Sequence, residues 1–262
     1  MKKILYAVLP LVMALLPMSI SAKKLHTIGD SSMCDYNEET TKKGWGQMLQ
    51  QYLVGIEVNN RAKSGASSKS FYHAPDYWAS SVKKQISPGD IVLIQFSHND
   101  EKSDGMDGDE LIAYYKSIGD NVKANSADSR GTSPFNTYKQ YLRKYIEETR
   151  DLGAEPILVG SICRNNFSGS KIRRSGRHDL GDSFSTLTEN GPISRQQLPE
   201  SDHTMDYVYH MREVAEEMNV PFVDLTTATK ELYESYGPAV STELLFCVED
   251  QSHPNARGAT II

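Results

Sequence analysis

The chain has 262 residues, with 28 Lys and Arg against 34 Asp and Glu, for a formal net charge of −6. That acidic balance argues against general nucleic-acid binding, which needs a basic face, and the length suits one α/β domain with a sizeable core. Three cysteines, Cys34, Cys163 and Cys247, are too few for a disulfide framework and make either one pair or three buried thiols.

The chain opens on a basic "MKK", an apolar run "ILYAVLPLVMALLPM" and a small-residue end "SISA", with Ala22 as the cleavage point. Residues 1–22 read as a secretory signal peptide. The run is too short and too poorly flanked to span a membrane stably. The mature chain is therefore expected in the periplasm or outside the cell, with no stable membrane insertion once the leader is gone. Removing it takes Lys2 and Lys3 away, leaving residues 23–262 at a net charge of −8.

From there, short apolar runs alternate with helical patterns. "KLHTI" (24–28) reads as a strand and "GWGQMLQQYL" (44–53) as a helix. "IEVNNRA" (56–62) is a strand, "DYWASSVKKQI" (76–86) a helix and "DIVLIQFS" (90–97) a strand. A helix at 135–153 ends on Gly153, followed at once by the strand "AEPILVGSI" (154–162). The last pair is a helix over 204–219 and the strand "VPFVDL" (220–225). Nearly continuous apolar runs such as "DIVLIQF" fit strands buried on both faces. The alternation predicts a parallel sheet between two layers of helices. Two segments break the pattern. Residues 101–133 are polar, with one short helical candidate at Glu110–Ile118, and 164–202 is a long stretch rich in Gly, Ser and Arg. Loops of that length are usually functional or disordered.

Sites in parallel sheets form at the carboxyl ends of the strands. Those ends carry Gly29-Asp30-Ser31, then Asn60, Ser64 and Gly65, then His98, Asn99 and Asp100, while Asp250 and His253 lie near the chain end. A serine hydroxyl needs a base to take its proton as it attacks. His253 has the intrinsic pKa for that work, and Asp250, three residues earlier, can hold the second ring nitrogen. The backbone N–H groups of Ser31 and Gly65 and the Asn99 amide can supply an oxyanion site. The chain has no G-x-S-x-G, which argues against the α/β-hydrolase fold. It has no H-E-x-x-H and no Cys-x-x-Cys either, so neither a metal nor another cofactor is expected.

The neighbouring residues have plainer readings. Ser32 is the second choice of nucleophile, Asp30 a hydrogen-bonder of the turn, and Cys34 a packed thiol. Trp45 reads as core packing, with stacking on a sugar ring as the alternative. His98 and Asp100 shape their loop, and His203 and His210 lie on a solvated helix face. The segment "RNNFSGSKIRRSGRH" (164–178) carries Arg164, Lys171, Arg173, Arg174 and Arg177 with no acidic residue. It is either a solvated loop or a positive rim for a polyanion such as galacturonate-containing pectin, whose carboxylates match the arginine fork.

The stretches "GDSSM" (29–33), "GWGQML" (44–49), "NNRAKSG" (59–65), "IQFSHND" (94–100), "VPFVDL" (220–225) and "DQSHPNARGA" (250–259) together resemble an SGNH (GDSL-type) hydrolase. Within that family they are similar to the rhamnogalacturonan acetylesterases. The resemblance implies a three-layer α/β/α sandwich of flavodoxin-like type. It also implies Ser31 as nucleophile, Asp250 and His253 as the rest of a triad, and Ser31, Gly65 and Asn99 as the oxyanion hole. The implied activity is removal of O-acetyl groups from acetylated cell-wall polysaccharide or oligosaccharide, rhamnogalacturonan first. Four alternatives stay open: an acetyl-xylan esterase, a lysophospholipase or thioesterase acting on acyl chains, a transferase using the same acyl-enzyme, and a non-hydrolytic carbohydrate-binding module. The family carries a final helix after the histidine loop. Here the sequence reaches "ARGATII" nine residues past His253, where that helix should be starting. The expectation is either a fragment or a domain that closes differently, and without the helix its partner apolar surface would be exposed.

Overall fold

A computed structural model describes residues 23–101, 130–179, 185–188, 191–194 and 201–262. The leader (1–22) and the helical candidate Glu110–Ile118 lie outside the described residues. Five strands form one parallel sheet: β1 (Lys24–Gly29), β2 (Glu57–Asn60), β3 (Ile91–Gln95), β4 (Glu155–Val159) and, after the hairpins of the insert, β9 (Phe222–Val223). Their spatial order is β2-β1-β3-β4-β9. Successive strands depart in opposite directions from β1 and β3, so the topological switch point, where doubly wound sheets place their ligands, lies between those two.

The helices are α1 (Trp45–Met48), continued by a 3₁₀ turn at Leu49–Tyr52, α2 (Ser68–His73), α3 (Thr137–Asp151), α4 (Tyr207–Met218), α5 (Leu225–Leu245) and α6 (Ala256–Ile261). Side chains alternate across a strand, and the two faces of the sheet bury different partners. Ile28, Val92, Ile94 and Leu158 join Phe71, Tyr138, Leu142, Tyr145, Met211 and Val214, which come from α2, α3 and α4. On the other face Val159, Leu93 and Ile157 meet Trp45, Leu225 and Ile262. The result is a three-layer α/β/α sandwich.

The second face is less covered than the first. Leu93, Ile157, Val159, Val223 and Leu225 form the floor of an open apolar groove of about 560 Å³ between α1 and α6. The closing helix does form over Ala256–Ile261, with the Asn255 side chain accepting the Gly258 N–H as its cap. No helix among the described residues is long and apolar enough to cross a membrane.

Several expectations are corrected. The helix read over 76–86 is a π turn (Trp78–Val82) followed by a 3₁₀ turn (Lys83–Gln85). Glu148 of α3 draws Tyr72, Trp78 and Lys83 onto one carboxylate, and this tertiary capture overrides the local period. Helices α2 and α5 were not expected. The segment 164–202 holds two small hairpins, β5 (Phe167–Ser168) with β6 (Lys171–Ile172) and β7 (Ser185–Thr188) with β8 (Gly191–Ser194). His210 is buried, not solvated, bonded through one ring nitrogen to Glu213 and through the other to the Thr204 carbonyl. All three cysteines are free buried thiols. Burial pushes the Cys34 thiol up to about 11 and Cys163 up to about 12, so neither is an activated thiolate.

Candidate active site

The turn after β1 presents one serine and consumes the other. The Asp30 carbonyl accepts the N–H groups of Met33 and Cys34, and its Oδ1 accepts the Ser32 N–H (2.9 Å) and hydroxyl (2.8 Å). Gln95 of β3 donates to Ser32 Oγ at 2.9 Å, so the Ser32 hydroxyl is fully engaged within the turn. Glycines at 44 and 46 let α1 approach: a Cβ at Gly44 would lie 2.2 Å from the Cys34 carbonyl oxygen, and one at Gly46 2.5 Å from that of Met33. The Trp45 indole between them is buried and donates to Gln95 Oε1 at 2.7 Å. Its polar handle is used internally, which decides for packing.

Ser31 points the other way. Its Oγ lies 3.0 Å from His253 Nε2, and His253 Nδ1 lies 2.7 Å from Asp250 Oδ2. Two residues 222 positions apart in sequence meet because the histidine loop is pinned onto the fold. Cys247 donates its N–H to the His253 carbonyl, Lys43 its own to the Pro254 carbonyl, and Asp250 Oδ1 accepts the N–H groups of Ser252 (2.8 Å) and His253 (3.0 Å). Burial would raise the Asp250 carboxyl, but the Ser252 N–H, the Lys42 ammonium and His253 outweigh it and hold it at about 2. The carboxylate is therefore ionised at any working pH. It fixes the proton on Nδ1 and leaves Nε2 to accept from Ser31.

Gly65 and Asn99 converge on the same rim. The Lys63 N–H donates to the Gly29 carbonyl at 2.9 Å, docking the loop after β2 against the end of β1. Gly65 sits at φ +78°, in the left-handed region that favours glycine. One hydrogen of the Asn99 amide goes to the Ala66 carbonyl at 2.9 Å, tying the β3 loop to the Gly65 loop. Asp100 anchors the same loop from beneath, accepting from the Ser68 N–H and hydroxyl and from Thr132. Desolvation by burial outweighs those donors and pushes its carboxyl up to about 7.

Acidic residues from elsewhere pair with part of the basic insert. Arg164 pairs with Glu101 at 2.7 Å and donates to the His98 carbonyl, and Arg174 pairs with Asp179 at 2.7 Å. Arg177 lines a polar cleft of about 320 Å³ with Asp179, Asp206 and Arg212. Arg173 is exposed, and its Nε donates to the Phe167 carbonyl. The acidic partners come from outside the 164–178 window, which is why the window alone reads as uncompensated charge.

Three residues of this region were not singled out from sequence. Glu101 bridges Arg164 and His178, whose Nδ1 is 2.7 Å from the carboxylate and whose Nε2 is 2.7 Å from the Ile162 carbonyl. Burial alone would raise the Glu101 carboxyl, but the charges of Arg164 and His178 hold it below its usual 4.5. The His178 ring therefore faces oxygen partners with both nitrogens. It stacks on His98 at 4.3 Å, and His98 donates to that same Ile162 carbonyl at 3.0 Å. Burial first, then the cationic neighbours, keep His98 well below 6.5 and therefore neutral. The third is Lys42, against Asp250. A positive residue eight positions after a recognisable turn carries no pattern that would mark it.

The comparisons agree with this architecture. Residues 27–261 match the model of the GDSL-like lipase/acylhydrolase family. The chain is 32% identical over 230 residues to the rhamnogalacturonan acetylesterase RhgT of Bacillus subtilis (strain 168), covering 87% of this chain and 75% of that one. It is 28% identical over 242 residues to the probable rhamnogalacturonan acetylesterase YesY of the same strain, covering 91% and 88%. Among solved structures, protein YxiM from Bacillus subtilis superposes with a TM-score of 0.61 at 21% identity, over 92% of this chain and 54% of that one. The present chain thus spans about half of YxiM, and the likeness there is one of fold. On a family match that runs from β1 to α6, the chain belongs to the GDSL-like lipase/acylhydrolase family.

Proposed function

We propose that this chain is an exported serine esterase that removes O-acetyl groups from plant cell-wall polysaccharide, with rhamnogalacturonan as its first substrate. The observation that carries the reading is the hydrogen-bond chain from Ser31 Oγ through His253 to Asp250, with distances of 3.0 and 2.7 Å. Relatives that bear the name rhamnogalacturonan acetylesterase support the substrate.

In this reading Ser31 Oγ attacks the acetyl carbonyl carbon as His253 Nε2 takes its proton. The oxyanion is held by the N–H groups of Ser31 and Gly65 and by the Asn99 amide hydrogen that Ala66 does not take. The tetrahedral intermediate collapses as the imidazolium returns the proton to the departing sugar oxygen, leaving acetyl-Ser31. Water, deprotonated by His253, then frees acetate and restores the serine.

The test is acetate release from acetylated rhamnogalacturonan and, in parallel, from acetylated xylan, using residues 23–262 with Ser31→Ala as control. Release from the pectic polymer that vanishes in the variant supports the proposal. Equal release from both polymers keeps the esterase and removes the pectin assignment. Activity retained in Ser31→Ala would sink the nucleophile. Asn99→Ala is expected to lower kcat on the same substrate by about 10²–10³-fold with little change in KM, because its donor acts on charge that develops only in the transition state.

A further inference from the structure

The acid of the Ser31–His253–Asp250 array is not alone with its histidine. Lys42 Nζ lies 3.0 Å from Asp250 Oδ2 and 3.4 Å from His253 Nδ1. Asp250 Oδ1 is filled by two backbone N–H groups, so Oδ2 is shared between the imidazole and the ammonium. Nδ1 carries its hydrogen toward Asp250, so its contact with Lys42 joins two donors. A cation is held against the ring edge without bonding to it. The position is built by the backbone: Lys42 forms a bridge with Asn255, and the Lys43 N–H donates to the Pro254 carbonyl at 3.0 Å. The lysine therefore rides on the histidine loop itself. Its side chain is 37% exposed, so it is only partly screened by solvent.

A lone aspartate would stabilise the imidazolium and make His253 easier to protonate in the resting enzyme as well as in the transition state. The Lys42 ammonium cancels much of that resting charge. The other groups that face His253 do not replace it. Ser31 is neutral, Tyr36 stands edge-on at 6.5 Å, and His98 is neutral. The ammonium of Lys43 is turned away, toward the Asn37 carbonyl and Glu38.

We propose that Lys42 is a positioning residue that neutralises Asp250 and keeps His253 available as a base at acidic pH, extending the working range of the esterase downward. The inference rests on the triad reading above and is separable from it. The experiment is the pH profile of kcat/KM for p-nitrophenyl acetate hydrolysis by the wild type, Lys42→Met, Lys42→Arg and Ser31→Ala.

In Lys42→Met the acid limb should move up by about one pH unit, an extra tenfold loss at each pH on that limb. The alkaline plateau should fall by much less. Lys42→Arg should retain the wild-type limb, since it restores the charge. An unmoved limb in Lys42→Met, or a loss of the same factor at every pH, overturns the inference while leaving the triad in place. So does a Lys42→Arg profile that coincides with that of Lys42→Met. Activity surviving in Ser31→Ala overturns the triad reading instead.

Discussion

Asp250→Asn is expected to lower kcat/KM for acetate esters by about 10⁴-fold without unfolding the protein. The size of the effect follows from which oxygen the amide must keep. Asp250 Oδ1 accepts the N–H groups of Ser252 and His253, so an asparagine has to place its own carbonyl oxygen there. Its NH₂ then replaces Oδ2, 2.7 Å from His253 Nδ1. A donor facing Nδ1 selects the tautomer with hydrogen on Nε2, and such a ring cannot take the Ser31 proton. The new NH₂ also faces the Lys42 ammonium, which loses its carboxylate and must swing toward solvent. Kinetics on p-nitrophenyl acetate, with circular dichroism to verify the fold, would check the result. A loss smaller than about tenfold would mean that Asp250 does not orient His253, and the proposed relay would fail with it.

How much of this was legible in the sequence depends on where the information lies. Positions that follow a strand end were readable: Ser31, Gly65 and Asn99 lie in the loops after β1, β2 and β3, and the apolar runs of β3 and β4 announce those strands. Asp250 and His253 are three apart and read as a pair. Elements stabilised by distant partners were not. Helix α5 has no clean apolar stripe, is crowded with threonines and is kinked at Gly237 before Pro238. It stands because Thr226 donates to the Ser161 carbonyl, Thr229 accepts from the Cys163 N–H, and Glu234 holds the Ile172 N–H. His210 failed for the same reason, since its burial depends on the Thr204 carbonyl and Glu213 and not on helical period. The partners of the basic insert were not readable because charge compensation is a property of space: Glu101 lies 63 residues from Arg164 in sequence and 2.7 Å from it in the fold.

That buried compensation sets the second large effect. Glu101→Gln is expected to cost about 3–5 kcal/mol of folding stability, the usual penalty for removing one partner from a buried ion pair. The His178 side chain is 0% exposed and cannot turn to solvent for relief, and Arg164, at 22%, reaches it only in part. An amide NH₂ placed against one of these donors makes matters worse. The contribution is also pH-dependent. Because the folded carboxyl titrates below its usual 4.5, the unfolded chain takes up the proton first on acidification. The stabilisation is therefore complete above about pH 4.5 and is lost as pH falls through the folded value. Urea unfolding at pH 7 and at pH 4 should show a gap between wild type and Glu101→Gln that narrows at the lower pH. Pairing the change with Arg164→Met should cost less than the two single changes added together, because the double variant no longer strands that cation. Strict additivity would show that the 2.7 Å contact carries no coupling. Asn99, two residues before Glu101, lies between His98, whose carbonyl Arg164 holds, and Asp100. Loosening this network should therefore lower kcat as well as stability, joining the buried ion pair to the proposed oxyanion site.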